Sequence, residues 1–274
     1  MNRYPKIDTL FTLHKMRYFS FCMLPFYFLV LLCFGCSAVP ADKVHTFQEA
    51  LSAYESGNYR QAAALYEQLI GQGIRSGAVY YNLGNAWARA DEPVRAVAAY
   101  YLAKRYIPGD PHLNANLRVV LTSNGGIPPS AETSLIGLLF FWQNWMGYHT
   151  KLWSSAVLAA LTFCGGLLCL FSTQGNQRLC RRSTKITITA AALTAIALAS
   201  AGYDWYRFEG TEQIIVTESV VPRKGNSEQY EPAFVSPIPF GTLAVILDER
   251  SGWYALRFPN GQEGWLPQSQ TWRL

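Results

Sequence analysis

The side chains best suited to covalent or metal chemistry are scattered along this chain. The six cysteines are Cys22, Cys33, Cys36, Cys164, Cys169 and Cys180, and all lie in apolar runs or in the short basic segment between two of them. Residues 42–121 and 210–274, the two stretches that read as soluble units, contain none, so neither a disulfide framework nor a zinc spacing can be built there. The four histidines, His14, His45, His112 and His149, form no HExxH or similar cluster. No Ser-His-Asp or Cys-His set appears, and an acid pair such as Glu249 with Glu263 has nothing to place it in a cleft. The chain therefore reads as non-enzymatic, with no metal and no cofactor. Its net charge of +5 is mild and partly confined to the N-terminus and one short loop, which does not point to nucleic acid. What remains is recognition chemistry, carried by tyrosine, tryptophan, asparagine and arginine.

The first element that could position such groups is a repeat. Within residues 44–121, Ala62 recurs as Ala96 and Tyr66 as Tyr100, a period of 34 residues. The second copy, AVYYNLGNAWARADEPVRAVAAYYLAKRYIPGDP, carries Tyr80, Leu83, Gly84, Trp87, Ala96, Tyr100, Ala103 and Pro108. This resembles the tetratricopeptide repeat. Gly84, Ala96 and Ala103 are small where two antiparallel helices approach, and Trp87 and Tyr100 fill the remaining gap. Gly57-Asn58 is expected to end one helix and cap the next, as is Asp91 or Glu92 before Pro93, and Asp110-Pro111 to open a last helix over the end of the stack. The spacing predicts helices over about 46–56, 59–71, 76–89, 93–106 and 111–121. By the resemblance, a concave protein-binding face carries Tyr54, Tyr81, Asn82, Asn85, Arg89 and Asn116; the asparagines equally suit packing and local hydrogen bonds.

Two apolar runs organise the middle of the chain. Residues 152–171 contain no ionisable carboxylate, amine or guanidinium, and residues 186–206 meet their first charge at Asp204. At about 1.5 Å per residue, about 20 helical residues span the roughly 30 Å hydrocarbon layer, so both read as transmembrane helices. The loop between them, 172–185, holds Arg178, Arg181, Arg182 and Lys185 and no acid, which places it in the cytoplasm and both flanking domains outside. Residues 122–134 are linker-like, and 135–148, with Trp142, Trp145 and Tyr148, read as an interfacial helix or as an extension of the first span. At the N-terminus, Lys15 and Arg17 precede an apolar run and the small-residue sequence GCSAVPA, the order of a signal peptide over residues 1–41. The rival readings are an uncleaved anchor and a lipoprotein signal ending at Cys36; all of them export the repeats.

Residues 210–274 change character to about five short strands, with Ser251-Gly252 and Asn260-Gly261 as turns. The long segment before Gly241 and the closing Gly264-Trp265-Leu266-Pro267 resemble a bacterial SH3-like barrel. Tyr230, Phe240, Trp253 and Trp265 are candidates for a ligand groove by ring stacking, although so small a barrel also needs aromatic bulk for its core.

Taken together, the chain is a multi-domain membrane protein of helical repeats, two transmembrane helices and a small all-β barrel. That order resembles the BatE group of Bacteroides aerotolerance proteins, the likeness resting most on YYNLGNAWARADEPVRAVAAYYLAKRYIPGDPHLNANLRVV and on the hairpin and barrel that follow. The resemblance implies a non-enzymatic scaffold in the inner membrane, working beside von Willebrand A-domain membrane proteins and a MoxR-type ATPase in envelope stress or aerotolerance. The alternative is a peptidoglycan sensor or tether acting through the barrel.

Overall fold

The computed structural model describes residues 40–128, 141–172, 177–208 and 210–274. The expected signal peptide up to residue 39, the later part of the expected linker and the start of the expected interfacial helix lie outside the described residues.

Five helices follow one another at the front: α1 (Ala41–Glu55), α2 (Tyr59–Gly71), α3 (Gly77–Arg89), α4 (Pro93–Lys104) and α5 (Pro111–Ser123). Their ends follow local chemistry. Gly57 takes φ +82 and Asp91 φ +60, conformations that stop a helix and reverse the chain. The Asp110 carboxylate accepts from the Leu113 amide at 2.8 Å, and Ser76 Oγ accepts from Val79 at 3.2 Å. Asn58 and Glu92 stand at N-cap positions without a side-chain cap bond, so the expected capping by Asn58 reduces to its carbonyl, which accepts from Ala62. The core between the helices is filled by Tyr66, Tyr100, Leu69, Val97, Leu113, Leu117 and Leu121, with Ala50, Ala62, Ala96 and Ala103 where helices approach.

A short helix α6 (Phe141–Trp145) breaks at Gly147, and two long helices follow, α7 (Tyr148–Ser172) and α8 (Gln177–Phe208). Gly147 is held so close to the Tyr106 carbonyl that a side chain there would collide with it. The expected basic loop over 172–185 is largely helical, because α8 already begins at Gln177; no glycine or proline interrupts the chain from there to Ala201. Among the described residues one helix, Thr184–Phe208, is long and apolar enough to cross a membrane. α7 and α8 pair through threonine and charged positions and not through the alanines of α8. Ala191, Ala195 and Ala199 form an exposed stripe, and the inward positions of α8 are instead Thr187, Thr194, Ala201 and Asp204. Thr162 and Thr194 hydroxyls meet at 3.3 Å, and Gly165 faces Thr187. These positions recur close to every 3.5 residues, a heptad seam, and the alanine stripe falls to one side of it.

The C-terminal sheet has strands β1 (Gln213–Val216), β2 (Leu243–Arg250), β3 (Trp253–Arg257), β4 (Glu263–Pro267) and β5 (Thr271–Arg273), all antiparallel, in the order β4-β3-β2-β1-β5. Ser251 and Gly252, both at positive φ, make the two-residue turn between β2 and β3. Ile214, Val216, Ile238, Tyr254, Leu256, Phe258 and Leu266 form the core of this sheet.

β1 is buried on both faces. Ile214 and Val216 enter the core of the sheet, whereas Ile215, with Phe240, joins the core of the repeats. Leu243 and Leu274 pack against that same core, the Tyr101 hydroxyl donates to the Gly241 carbonyl at 3.2 Å, and Gly241 lies against Leu121. Arg95 completes the seam, its Cζ 4.5 Å from the Trp87 ring centroid and 5.8 Å from that of Trp272. The open end of the repeat stack is thus covered by α5 and the barrel together.

Candidate binding groove of the repeats

On α3, Tyr81, Asn82, Asn85 and Arg89 lie at i, i+1, i+4 and i+8 and share one face. Tyr54 on α1 and Asn116 on α5 stand on either side. The Asn85 side-chain oxygen accepts from the Tyr100 hydroxyl at 2.9 Å and from Asn116 Nδ2 at 2.8 Å, and Asn116 Nδ2 also donates to the Tyr81 hydroxyl at 3.1 Å. Three helices are therefore tied through one amide oxygen, with the Tyr81 and Tyr100 rings 6.2 Å apart. Burial raises the Tyr100 pKa strongly and keeps its hydroxyl a neutral donor.

At the other end Arg89 donates to the Tyr59 hydroxyl at 2.8 Å, and its Cζ stands 5.1 Å over the Tyr59 ring centroid. Tyr54 meets Tyr59 edge-on at 5.3 Å, and burial raises the Tyr54 pKa. Between the two ends lies Tyr66. Its ring is buried, and its hydroxyl, cut off from the surface, has the Asn82 side chain as its hydrogen-bonding neighbour.

All six expected groove residues are thus placed along α1, α3 and α5. Asn85 and Asn116 are consumed by internal bonds, Arg89 is bonded to Tyr59, and Tyr54 and Asn82 stand beside Tyr66. The repeat period places Tyr66 and Tyr100 as fillers between helices and does not show that their hydroxyls reach this face. Nothing in the spacing marks Tyr59.

The four rings expected to line a barrel groove divide. Trp253 and Trp265 alternate with the buried Tyr254, Gly264 and Leu266, so both face outward on adjacent strands. Tyr230 is half exposed and its ring lies over Gly225. Arg223 connects it to Trp265: the Arg223 and Trp265 backbones exchange hydrogen bonds at 2.9 and 2.8 Å, and the guanidinium donates to the Tyr230 carbonyl at 3.5 Å. Phe240 is 5 % exposed and belongs to the core shared with the repeats, because the segment before Gly241 turns toward Leu121.

A further polar cluster lies at the top of the helical hairpin. Lys151 Nζ donates to Asp204 Oδ2 at 2.5 Å and to the Gln143 carbonyl at 3.0 Å; Gln143 Nε2 donates to Asp204 Oδ1 at 2.6 Å, and Ser200 donates to Gln143 Oε1 at 2.5 Å. Lys151 and Asp204 are 2 % and 5 % exposed, so the ion pair is buried, with both Asp204 oxygens hydrogen-bonded. Among the described residues no group of histidine, cysteine and acidic side chains could hold a metal ion.

Residues 47–111 match the tetratricopeptide repeat family. That match marks the repeat region as a protein-interaction scaffold, of a kind that is typically not catalytic. None of the curated proteins matches the chain. Among solved structures, the chain shows a weak likeness to the C-terminal SH3 domain of myosin IB from Entamoeba histolytica, with 22% identity over 23% of this chain and 93% of that one and a TM-score of 0.17.

Proposed function

We propose that the protein is a membrane-anchored scaffold whose repeats hold a segment of a partner protein along the face bounded by Tyr54, Tyr81, Asn82 and Arg89. The reading is supported by the match of residues 47–111 to the tetratricopeptide repeat family and by the part-exposed Tyr81 and Asn82 and the exposed Arg89, aligned on one face of α3. The anchor is the α7–α8 hairpin, supported by the apolar length of Thr184–Phe208 and by the exposure of Leu152, Val157, Leu161, Ile186, Ile188 and Leu193 on its surface. The basic residues Arg178, Arg181, Arg182 and Lys185 orient the hairpin with Cys180 toward the cytoplasm and the repeats and barrel on the extracytoplasmic side of a bacterial inner membrane. The resemblance to the BatE group extends the reading to a complex with von Willebrand A-domain proteins and a MoxR-type ATPase in envelope stress or aerotolerance.

The test is a crosslinking pull-down from membranes with Tyr54→Ala/Arg89→Ala, two changes that leave the Asn85 network intact. Recovery of the partner should fall at least tenfold, since protein contacts concentrate in a few aromatic and arginine anchors. Normal recovery in that variant, with loss in Trp253→Ser/Trp265→Ser, would move the main contact to the barrel. A second reading, cell-wall binding through the barrel, is favoured by the outward pair Trp253 and Trp265 with Tyr230 nearby. Cosedimentation of the full chain with purified sacculi, abolished by the same Trp pair, would support it.

A further inference from the structure

The α7–α8 pair buries little that could fix how its two helices meet. Among the described residues of these helices the fully buried side chains are Lys151, Ser155, Ala201 and Asp204, and no large apolar side chain is among them. Farther along the seam the contacts join small groups, Thr162 with Thr194 and Gly165 with Thr187. Small side chains let two helices approach but interlock weakly. Such a seam resembles itself when one helix is displaced by a turn, about 5.4 Å along the axis.

Direction enters at the Asp204 end. Its two carboxylate oxygens accept from different helices, Oδ1 from Gln143 Nε2 of α6 and Oδ2 from Lys151 Nζ of α7, and Ser200 of α8 donates to Gln143 Oε1. Bonds that depend on distance and angle are lost when α8 slides or turns, whereas apolar contacts are exchanged for similar ones. A buried ion pair adds little stability over well-packed apolar side chains, and its best-attested use is to select one arrangement among several.

The selection matters beyond the two helices, because they lead to different sides of the shared core. α7 is fastened under the repeats. Gly147 lies against the Tyr106 carbonyl, Trp145 against Gly109, and the Tyr106 ring stacks on both Tyr80 of α3 and His149 of α7, each at 5.7 Å and 18°. α8 instead ends at Phe208 and leads into β1 at Gln213. The Gln213 side chain donates back to the Arg207 carbonyl at 3.0 Å, and Ile215 is buried in the repeat core. A slip of α8 along α7 would drag β1 against the repeats.

We propose that Gln143, Lys151, Ser200 and Asp204 form a register lock, which holds α8 at one height and rotation on α7 and, through β1, keeps the sheet seated on the repeats. With the lock open, α8 slides by a turn and the seat of Ile215 loosens. The lock goes beyond the scaffold reading and stands on packing alone, whichever partner the groove takes.

The experiment reads register by cysteine crosslinking in the full chain in detergent, with the native cysteines replaced by alanine. Thr162→Cys is paired in turn with Ala190→Cys, Thr194→Cys and Ala197→Cys, three positions on the inward side of α8. Disulfide formed under mild oxidation is counted by mass spectrometry. With the network intact, the pair at 162 and 194 should form at least about tenfold faster than the other two. The variant Gln143→Met/Lys151→Met/Asp204→Leu/Ser200→Ala puts apolar groups of similar size in place of the network. It should melt no lower than the parent, while the preference for 194 falls below about threefold and hydrogen exchange of the β1 amides quickens by about tenfold. An undiminished preference for 194 in that variant, or no preference in the parent, would overturn the lock. Loss of cooperative unfolding in the variant would do the same, because the network would then hold the fold together instead of choosing its register. A lost preference with unchanged β1 exchange would refute the link to the sheet.

Discussion

A β-carbon built on Gly84 would stand 2.5 Å from Cδ1 and Cε1 of Tyr100, a ring fixed by its bond to Asn85. Gly84→Ala should therefore destabilise the repeats by about 1–3 kcal/mol, and Gly84→Leu should unfold them, as read by denaturant titration of the helical signal. Asn85→Ala is expected to be almost as damaging, because it leaves the buried Tyr100 hydroxyl without an acceptor; its circular dichroism should soften at lower denaturant than that of Arg89→Ala. The tyrosines also set a pH limit. Burial pushes Tyr101 up to about 12 and raises Tyr54, Tyr66 and Tyr100. Each must stay protonated in the folded state, so their contribution is complete below the unfolded value of about 10 and is lost as pH rises toward the folded value. For Tyr101 the gap corresponds to about 3 kcal/mol at most. Unfolding free energies measured from pH 8 to 12 should fall above pH 10, and less steeply in Tyr101→Phe. Among the caps, Asp110 was legible because Asp-Pro is an unambiguous helix start. Ser76 passed unnoticed because nothing in its neighbours distinguishes it from a loop serine.

The α7–α8 pair illustrates which interactions an element hides. Lys151 and Asp204 lie 53 residues apart, and each reads by itself as a charge at the edge of an apolar run. Only the heptad seam of the pair turns them toward each other. Breaking one side, by Lys151→Met or Asp204→Asn, leaves a buried group without its counterpart and should cost about 3–5 kcal/mol. The double change Lys151→Met/Asp204→Asn keeps an acceptor for Gln143 and should recover much of that loss. A double-mutant cycle on thermal unfolding should show a coupling larger than the cost of either single change, about 3 kcal/mol or more; strict additivity would mean that the pair is not coupled. The same seam leaves the alanine stripe of α8 to one side: small residues mark where close approach is permitted, and the threonine and charged positions decide where it occurs. The repeats were legible almost to their ends because their period fixes small and large residues at matching sites. The strands were legible because Ser251-Gly252 and Asn260-Gly261 punctuate them.

At the scale of the whole molecule, residues 210–274 looked like a separate module, and the structure makes them part of the repeat core. The clue was present in β1, whose run Gln213-Ile214-Ile215-Val216 does not alternate as a strand with one wet face should. Its outward neighbour could not be named from the sequence. Because Leu121, Val97, Ile215 and Phe240 share one buried cluster, helix ellipticity and barrel tryptophan fluorescence should unfold together. Phe240→Asp should split them into two transitions, with the repeats melting first; coincident transitions in that variant would mean that the two parts do not depend on each other. The shared core also sets a timetable for the newborn chain. When the ribosome has finished α5, the surface that Ile215 and Phe240 will cover is still bare, and roughly 120 more residues must be made before Phe240 is added and roughly 150 before Leu274 is, a wait on the order of ten seconds. The repeats thus begin life as an unfinished fold with a sticky end, and the last strand to be made is among those that close it.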